Sequence, residues 1–233
     1  MIGSAALENL LQSLQAVSAM LELDASYGNP PPKETEILVE GLRGGAAVLI
    51  VGALEEYLRN AIEEHFLLLA ETPGVTLLPN LPDKLWVTNV FQTLQRSLDG
   101  PKHATTEKKD RIPAIVKASR LIAQERIDPS ALTYAQANPQ ASNLRALFKN
   151  LGFTDFFGQM NTDFMEGWGQ QETTRFIEDK LDEIVNRRHR VAHTALALGI
   201  ARSDLELSVR FIRVFGYCVD IHLKQHLRTV LGV

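Results

Sequence analysis

Apolar residues recur three and four positions apart along nearly the whole chain, and no run of β-branched alternation bounded by hairpin turns interrupts them. The pattern predicts an all-α protein, a helical bundle of about six to eight helices. A first helix covers Ala5 to Leu23 and ends in the Gly28 and Pro30-Pro31-Pro32 stretch. A long second helix runs from near Lys33 to about Ala70, and Gly41, Gly44 and Gly45, each costing about 1 kcal/mol against alanine, predict that it is two segments in line. Thr72 to Pro82 reads as loop, followed by helices at about Lys84 to Leu98 and Thr105 to Arg126, the latter with Pro113 inside it. Asp128 to Ser142 reads as an exposed loop, then short helices cover Asn143 to Leu151 and Thr154 to Met160 before Gly167 and Gly169 break the chain. The last two helices are the clearest, at Glu172 to Thr194 and Ser203 to Leu231, where Ser203 and Glu206 have capping-box spacing.

Composition narrows the class without naming a function. The 233 residues are 45% hydrophobic and 22% charged, enough to bury a core, and one domain over residues 1–233 is the simplest organisation. A net charge of -4 gives no global attraction to polyanions, so nucleic-acid binding would need a local patch. Cys218 has no internal partner and lies in an apolar run, where it reads as a small packed hydrophobe in a reducing cytoplasm. Met1 to Leu23 lacks a basic leader pattern, and the apolar run Ala46 to Leu54 falls short of the roughly 20 residues of a membrane span, so neither export nor membrane insertion is expected.

Few polar residues fall on the predicted buried faces. In the penultimate helix Ile177, Leu181, Ile184, Val185, Val191 and Ala192 mark that face, and Arg188 projects into its middle with Arg187 and Arg190 on the flanks. A guanidinium there must snorkel, pair with a carboxylate, or face a cleft or interface. On the second helix Glu55 lies at the margin of the stripe formed by Ile50, Val51, Leu54, Leu58, Ala61 and Ile62, while Glu56 points away. Glu55 is thus a candidate counter-charge, and an inter-helix ion pair without chemistry is the competing reading.

The run Val185-Asn186-Arg187-Arg188-His189-Arg190-Val191-Ala192-His193-Thr194 resembles the Arg-x4-His signature of the HEPN superfamily, with Arg188 and His193 as the matching pair. Ala46 to Val51 followed by Ala53-Leu54-Glu55-Glu56-Tyr57-Leu58-Arg59 is similar to the early acidic helix of the branch linked to stress and phage-defence endoribonucleases. Ser203-Asp204-Leu205-Glu206, opening the final helix, is similar to that branch as well. His189 stands where many members have asparagine. The likeness implies an up-and-down HEPN-like core at about 33–70 and 172–231 with inserted middle helices at about 71–171.

The resemblance further implies a metal-independent endoribonuclease, a toxin or phage-defence effector acting without cofactor or metal. Its implied partners are RNA, a second copy of the chain, and an inhibitory partner or antitoxin, with no membrane. Catalysis would fall to Arg188, His193 and Glu55, and substrate binding to Arg187, Arg190, His189 and Asn186. Attack by the ribose 2′-hydroxyl would leave 2′,3′-cyclic phosphate and 5′-hydroxyl ends. Five residues on an ideal helix turn through about 140°, so Arg188 and His193 share one pocket only if the helix ends there or a two-fold axis brings two segments together.

Other chemistries compete less well. His189 and His193 have zinc-compatible i, i+4 spacing, but no cysteine is near and three arginines repel a cation. His65, His222 and His226 read as packed or surface residues, and Lys102, His103, Lys108, Lys109 and Arg111 as a solvated basic face. Trp86 and Phe91 are available for base stacking, whereas Phe153, Phe156, Phe157, Phe164 and Trp168 read as packing. A catalytically silent adaptor and a non-cleaving RNA-binding module remain the alternative functions.

Overall fold

The computed structural model describes residues 3–71, 83–99, 107–133, 138–194 and 199–231. Among these the chain forms eight α-helices and no strand: α1 (Ala5–Ala25), α2 (Glu36–Glu71), α3 (Asp83–Asp99), α4 (Ile112–Ala123), α5 (Ala141–Asn150), α6 (Phe156–Trp168), α7 (Phe176–Thr194) and α8 (Arg202–Leu231). The expected loop at Thr72 to Pro82, the residues Lys102 and His103, and the expected helix start at Thr105 lie outside the described residues.

Most differences from the predicted elements have a local cause. α2 is one continuous helix; packing outweighs the propensity of its glycines, and a Cβ on Gly45 would meet Met20 Cε at 3.1 Å. α4 begins at Ile112, preceded by a 3-10 turn over Lys108–Arg111, so Pro113 lies in the first turn, where its missing N–H leaves no hydrogen bond broken. α6 runs on past Met160 to Trp168 and stops at Gly169, whose φ is 83°. α8 starts at Arg202, which puts Ser203 inside the helix rather than at its cap.

The chain divides into two compact units. The first comprises Met1–Ala61, Asn138–Leu144 and Phe157–Ile221, so α6 belongs here although it falls inside the 71–171 stretch. Its core is made by Leu7, Leu10, Leu14, Val17 and Leu21 of α1, the Ala46 to Leu58 face of α2, and the inward positions of α6, α7 and α8. Arg43 of α2 grips Asp24 of α1 through two hydrogen bonds, Nε to Oδ2 at 2.9 Å and Nη2 to Oδ1 at 3.1 Å. Asp24 is fully buried, and such a forked pair is the way a buried carboxylate becomes tolerable. α8 packs closely on α1 at Gly216, where an added Cβ would lie 2.5 Å from Leu10 Cδ2, and the Tyr57 hydroxyl donates to the Gly216 carbonyl at 2.7 Å. Phe164, Trp168, Phe176 and Phe211 form an aromatic cluster with centroids between 5.3 and 6.2 Å apart. The buried Phe164 and Trp168 are therefore packing residues.

Among the described residues one helical stretch, Lys33–Leu68, is long and apolar enough to cross a membrane by length and composition alone, well beyond the Ala46 to Leu54 run. Its inward positions Ala46, Ile50, Val51, Leu54 and Leu58 are buried among protein side chains. Cys218 is buried too; burial first, and the charge of Asp163 second, push its thiol up to about 12, so it stays protonated and unreactive.

The second unit comprises Ile62–Ala137, Arg145–Phe156 and His222–Val233. On α3, Leu85, Asn89, Thr93 and Ser97 are buried at four-residue steps, while Phe91 faces outward, 70% exposed. Asn89 satisfies its amide by a reciprocal pair with the Asp128 backbone, at 2.7 and 3.0 Å. His226 stacks on Phe153 at 4.1 Å and donates from Nε2 to the Leu151 carbonyl at 2.9 Å. Burial holds the His226 imidazole below its ordinary value, against the upward pull of that carbonyl.

The folded chain thus binds a proton at His226 less readily than the unfolded chain does. Stability from this group is complete above the ordinary imidazole range, near ~6.5, and is lost as pH falls below it. His226→Gln keeps a donor for Leu151 and does not titrate, so its thermal midpoint should fall less than that of the wild type between pH 7.5 and 5.5. Parallel curves would assign the acid sensitivity to another group.

Candidate active site

The run from Asn186 to His193 forms the C-terminal half of α7, and the described contacts separate its arginines. Ile177, Leu181, Ile184 and Val185 are buried as the apolar stripe requires. The next buried residue is Arg187, not Arg188, and this corrects the placement of Arg187 on a flank. Arg187 Nη1 donates to Ser208 Oγ at 2.9 Å and to the Asp204 carbonyl at 3.5 Å, while Nη2 donates to Glu183 Oε1 at 2.5 Å. The Asp204 carboxylate lies 3.8 Å away. The cause is where α8 begins: its first turns cover the side of α7 that Arg187 faces and supply polar acceptors there.

Beyond that point α7 leaves the core. Arg188 and His189 are half-buried, Arg190 is exposed, Val191 is half-buried, and Ala192 and His193 are exposed. Of two positions expected on the buried face, Val191 is only half-buried and Ala192 is exposed, while the helix stays regular through Thr194. His193 stands in its last turn. His189 and His193, one turn apart, hold their rings nearly parallel with centroids 6.4 Å apart.

The polar flank of α7 is engaged by residues 138–141. Arg188 Nη1 donates to Asn138 Oδ1 at 3.4 Å, Asn138 Nδ2 lies 3.1 Å from His189 Nε2, and Gln140 Nε2 donates to Asn186 Oδ1 at 3.3 Å. Asp182 Oδ1 accepts from the Ala141 N–H at 2.8 Å. Sequence reasoning missed Asn138, Gln140 and Asp182. A polar stretch read as loop offers no periodicity from which its contact with a helix 45 residues or so later can be found.

Glu55 is half-buried and Glu56 exposed, as their places on α2 predict. Among the described residues Glu55 makes no hydrogen bond or ion pair with Arg188 or His193. Nor do these residues include a group of three or more His, Cys, Asp or Glu able to hold a metal ion.

Among the described residues, an all-helical bundle whose last two helices are long is consistent with the HEPN fold. The chain belongs to the RiboL-PSP-HEPN family, whose model matches residues 7–225. The match runs through the middle of the chain, beyond the two stretches in which the likeness is legible by eye. No curated protein and no solved structure matches the chain.

The contrast between neighbouring arginines is measurable. Replacing Arg187 by Met should lower the unfolding free energy in urea by ~2 kcal/mol, because charge-assisted hydrogen bonds in a buried setting are lost. Arg190→Met, at an exposed position, should stay within ~0.5 kcal/mol of the wild type. Equal stability of the two variants would refute the structural role assigned to Arg187.

Proposed function

We propose that this protein is a metal-independent endoribonuclease, and the observation that carries the reading is the open C-terminal end of α7 in a HEPN family member. Arg188, His189, Arg190 and His193 stand there outside the core on a helix that is still regular. A guanidinium that can hold a phosphate and an imidazole that can carry a proton support the reading.

In the proposed reaction the 2′-hydroxyl attacks the adjacent phosphorus as its proton passes to a base. The new O2′–P bond forms, the P–O5′ bond breaks, and O5′ takes up a proton. The products are a 2′,3′-cyclic phosphate and a 5′-hydroxyl, and DNA is spared for want of the 2′-hydroxyl. His193 carries a proton in one of these two transfers, since imidazole changes charge near neutral pH. Arg188 holds the scissile phosphate and offsets charge developing on the phosphorane. Glu55 orients these groups, and Arg190, His189 and Asn186 contact the flanking nucleotides. Arg187, tied to Glu183, Ser208 and Asp204, supports the site from within rather than touching RNA.

Arg188 and His193 diverge by about 140° on a regular helix, so the complete site is proposed to form between two copies across a two-fold axis. A nuclease of this kind acts as a growth-restricting toxin or phage-defence effector in the cytoplasm, held in check by an inhibitory partner.

Incubation with a mixed RNA pool in EDTA should give cyclic-phosphate ends with the wild type. His193→Ala should lose cleavage by at least ~100-fold while retaining RNA affinity and oligomeric state. Intact RNA with the wild type across a wide panel would move the function to a helical adaptor, or, where RNA is bound without being cut, to an RNA-binding module.

A further inference from the structure

Residues 138–141 lie along one face of α7. Asp182, Asn186 and His189 follow one another at four and three positions, the spacing of a single helical face, and they meet Ala141, Gln140 and Asn138 in turn. The strap therefore runs antiparallel to the helix, and Asn138 is the residue it delivers to the signature. Its own position is fixed from behind, because its carbonyl accepts from Asn143 Nδ2 at 2.9 Å and from the Gln140 N–H at 2.8 Å.

The chemistry of a carboxamide makes this contact directional. A guanidinium has donors only, so Arg188 can be met only by Oδ1, which turns Nδ2 toward His189. An amide nitrogen donates only. His189 Nε2 must then present its lone pair, and the neutral ring carries its proton on Nδ1. One side chain thereby sets both the direction of the Arg188 head and the tautomer of its neighbour. At 3.4 Å the bond to Arg188 is long, and among the described residues it is the one hydrogen bond Arg188 makes, so the Nε–Nη2 edge is left for a forked grip on phosphate.

We propose that Asn138 is a positioning residue for the ribonuclease site, orienting Arg188 and His189 without touching RNA; the assignment rests on the ribonuclease reading above. The test compares the full-length wild type with Asn138→Ala and Asn138→Asp by steady-state RNA cleavage and by 15N NMR of the His189 ring. Asn138→Ala frees the guanidinium, so kcat should fall ~10-fold with KM within ~2-fold. Asn138→Asp keeps the shape but sets a carboxylate against Arg188 in competition with phosphate, so KM should rise ~5-fold or more. His189 should carry its proton on Nδ1 in the wild type and shift to Nε2 in Asn138→Ala.

Wild-type kcat and KM in Asn138→Ala, or an unchanged KM in Asn138→Asp should the alanine variant fail to fold, would overturn the proposal. If the wild type cuts no RNA, the ribonuclease reading falls by itself and the ring decides. A tautomer that switches between wild type and variant upholds the orienting contact, and one that does not overturns it.

Discussion

Taking a guanidinium out of water costs several kcal/mol unless acceptors answer its N–H groups, and in the first unit that requirement is concentrated on Arg187. Its side chain is only 7% exposed. Glu183, one turn earlier on α7, supplies one acceptor, while the other two come from Ser208 and the Asp204 carbonyl in the opening turns of α8. Ser208 also donates to that carbonyl at 2.6 Å, so its hydroxyl is used in both senses. The start of α8 must therefore lie against α7 at this residue. From Arg188 to His193 no side chain of α7 is fully buried.

That placement holds only if α8 cannot slide, and its middle turns show why it does not. Gly216 admits Leu10 where any side chain would collide, and Tyr57 bonds the same turn from α2. Arg210 stacks its guanidinium 4.4 Å from the Trp168 ring and also donates to the Trp168 carbonyl. A shift of one helical turn, about 5.4 Å, would break all of these together. On the opposite flank, α7 is held by the strap at residues 138–141. α7 is thus held on two sides while its last described side chains stand outside the core, an arrangement that gives them a defined direction.

Periodicity carried the fold class and the two final helices into view, because α7 and α8 bury stripes of Ile, Leu, Val and Phe at regular spacing. It misplaced what depends on neighbours. The glycines of α2 read as a break, since their cost is local and visible while the compensating contact with Met20 is not. By angle alone Arg188 belongs at the centre of the buried stripe and Arg187 at its edge, yet the order is reversed in space. The stripe describes a helix with cover along its whole length, and α7 loses its cover midway. Asn138 had no signal at all: a single amide in a proline-bearing loop is ordinary, and its partners are brought near only by the fold.

The same loss of cover bears on the proposed chemistry. Val191 and Ala192 are small and apolar, they continue the stripe of Ile184 and Val185, and they are half-buried and exposed respectively. In sequence they lie between Arg188 and His193, which the regular helix turns away from each other. Arg188 itself stands in the middle of that stripe, with Val191 and Ala192 to either side of it and His193 about 140° away around the helix. Closing a second α7 against that stripe would cover the apolar residues and bring an arginine of one chain toward a histidine of the other. Catalysis would then depend on association, so that cleavage is coupled to the concentration of the chain and an inhibitor need only occupy the stripe.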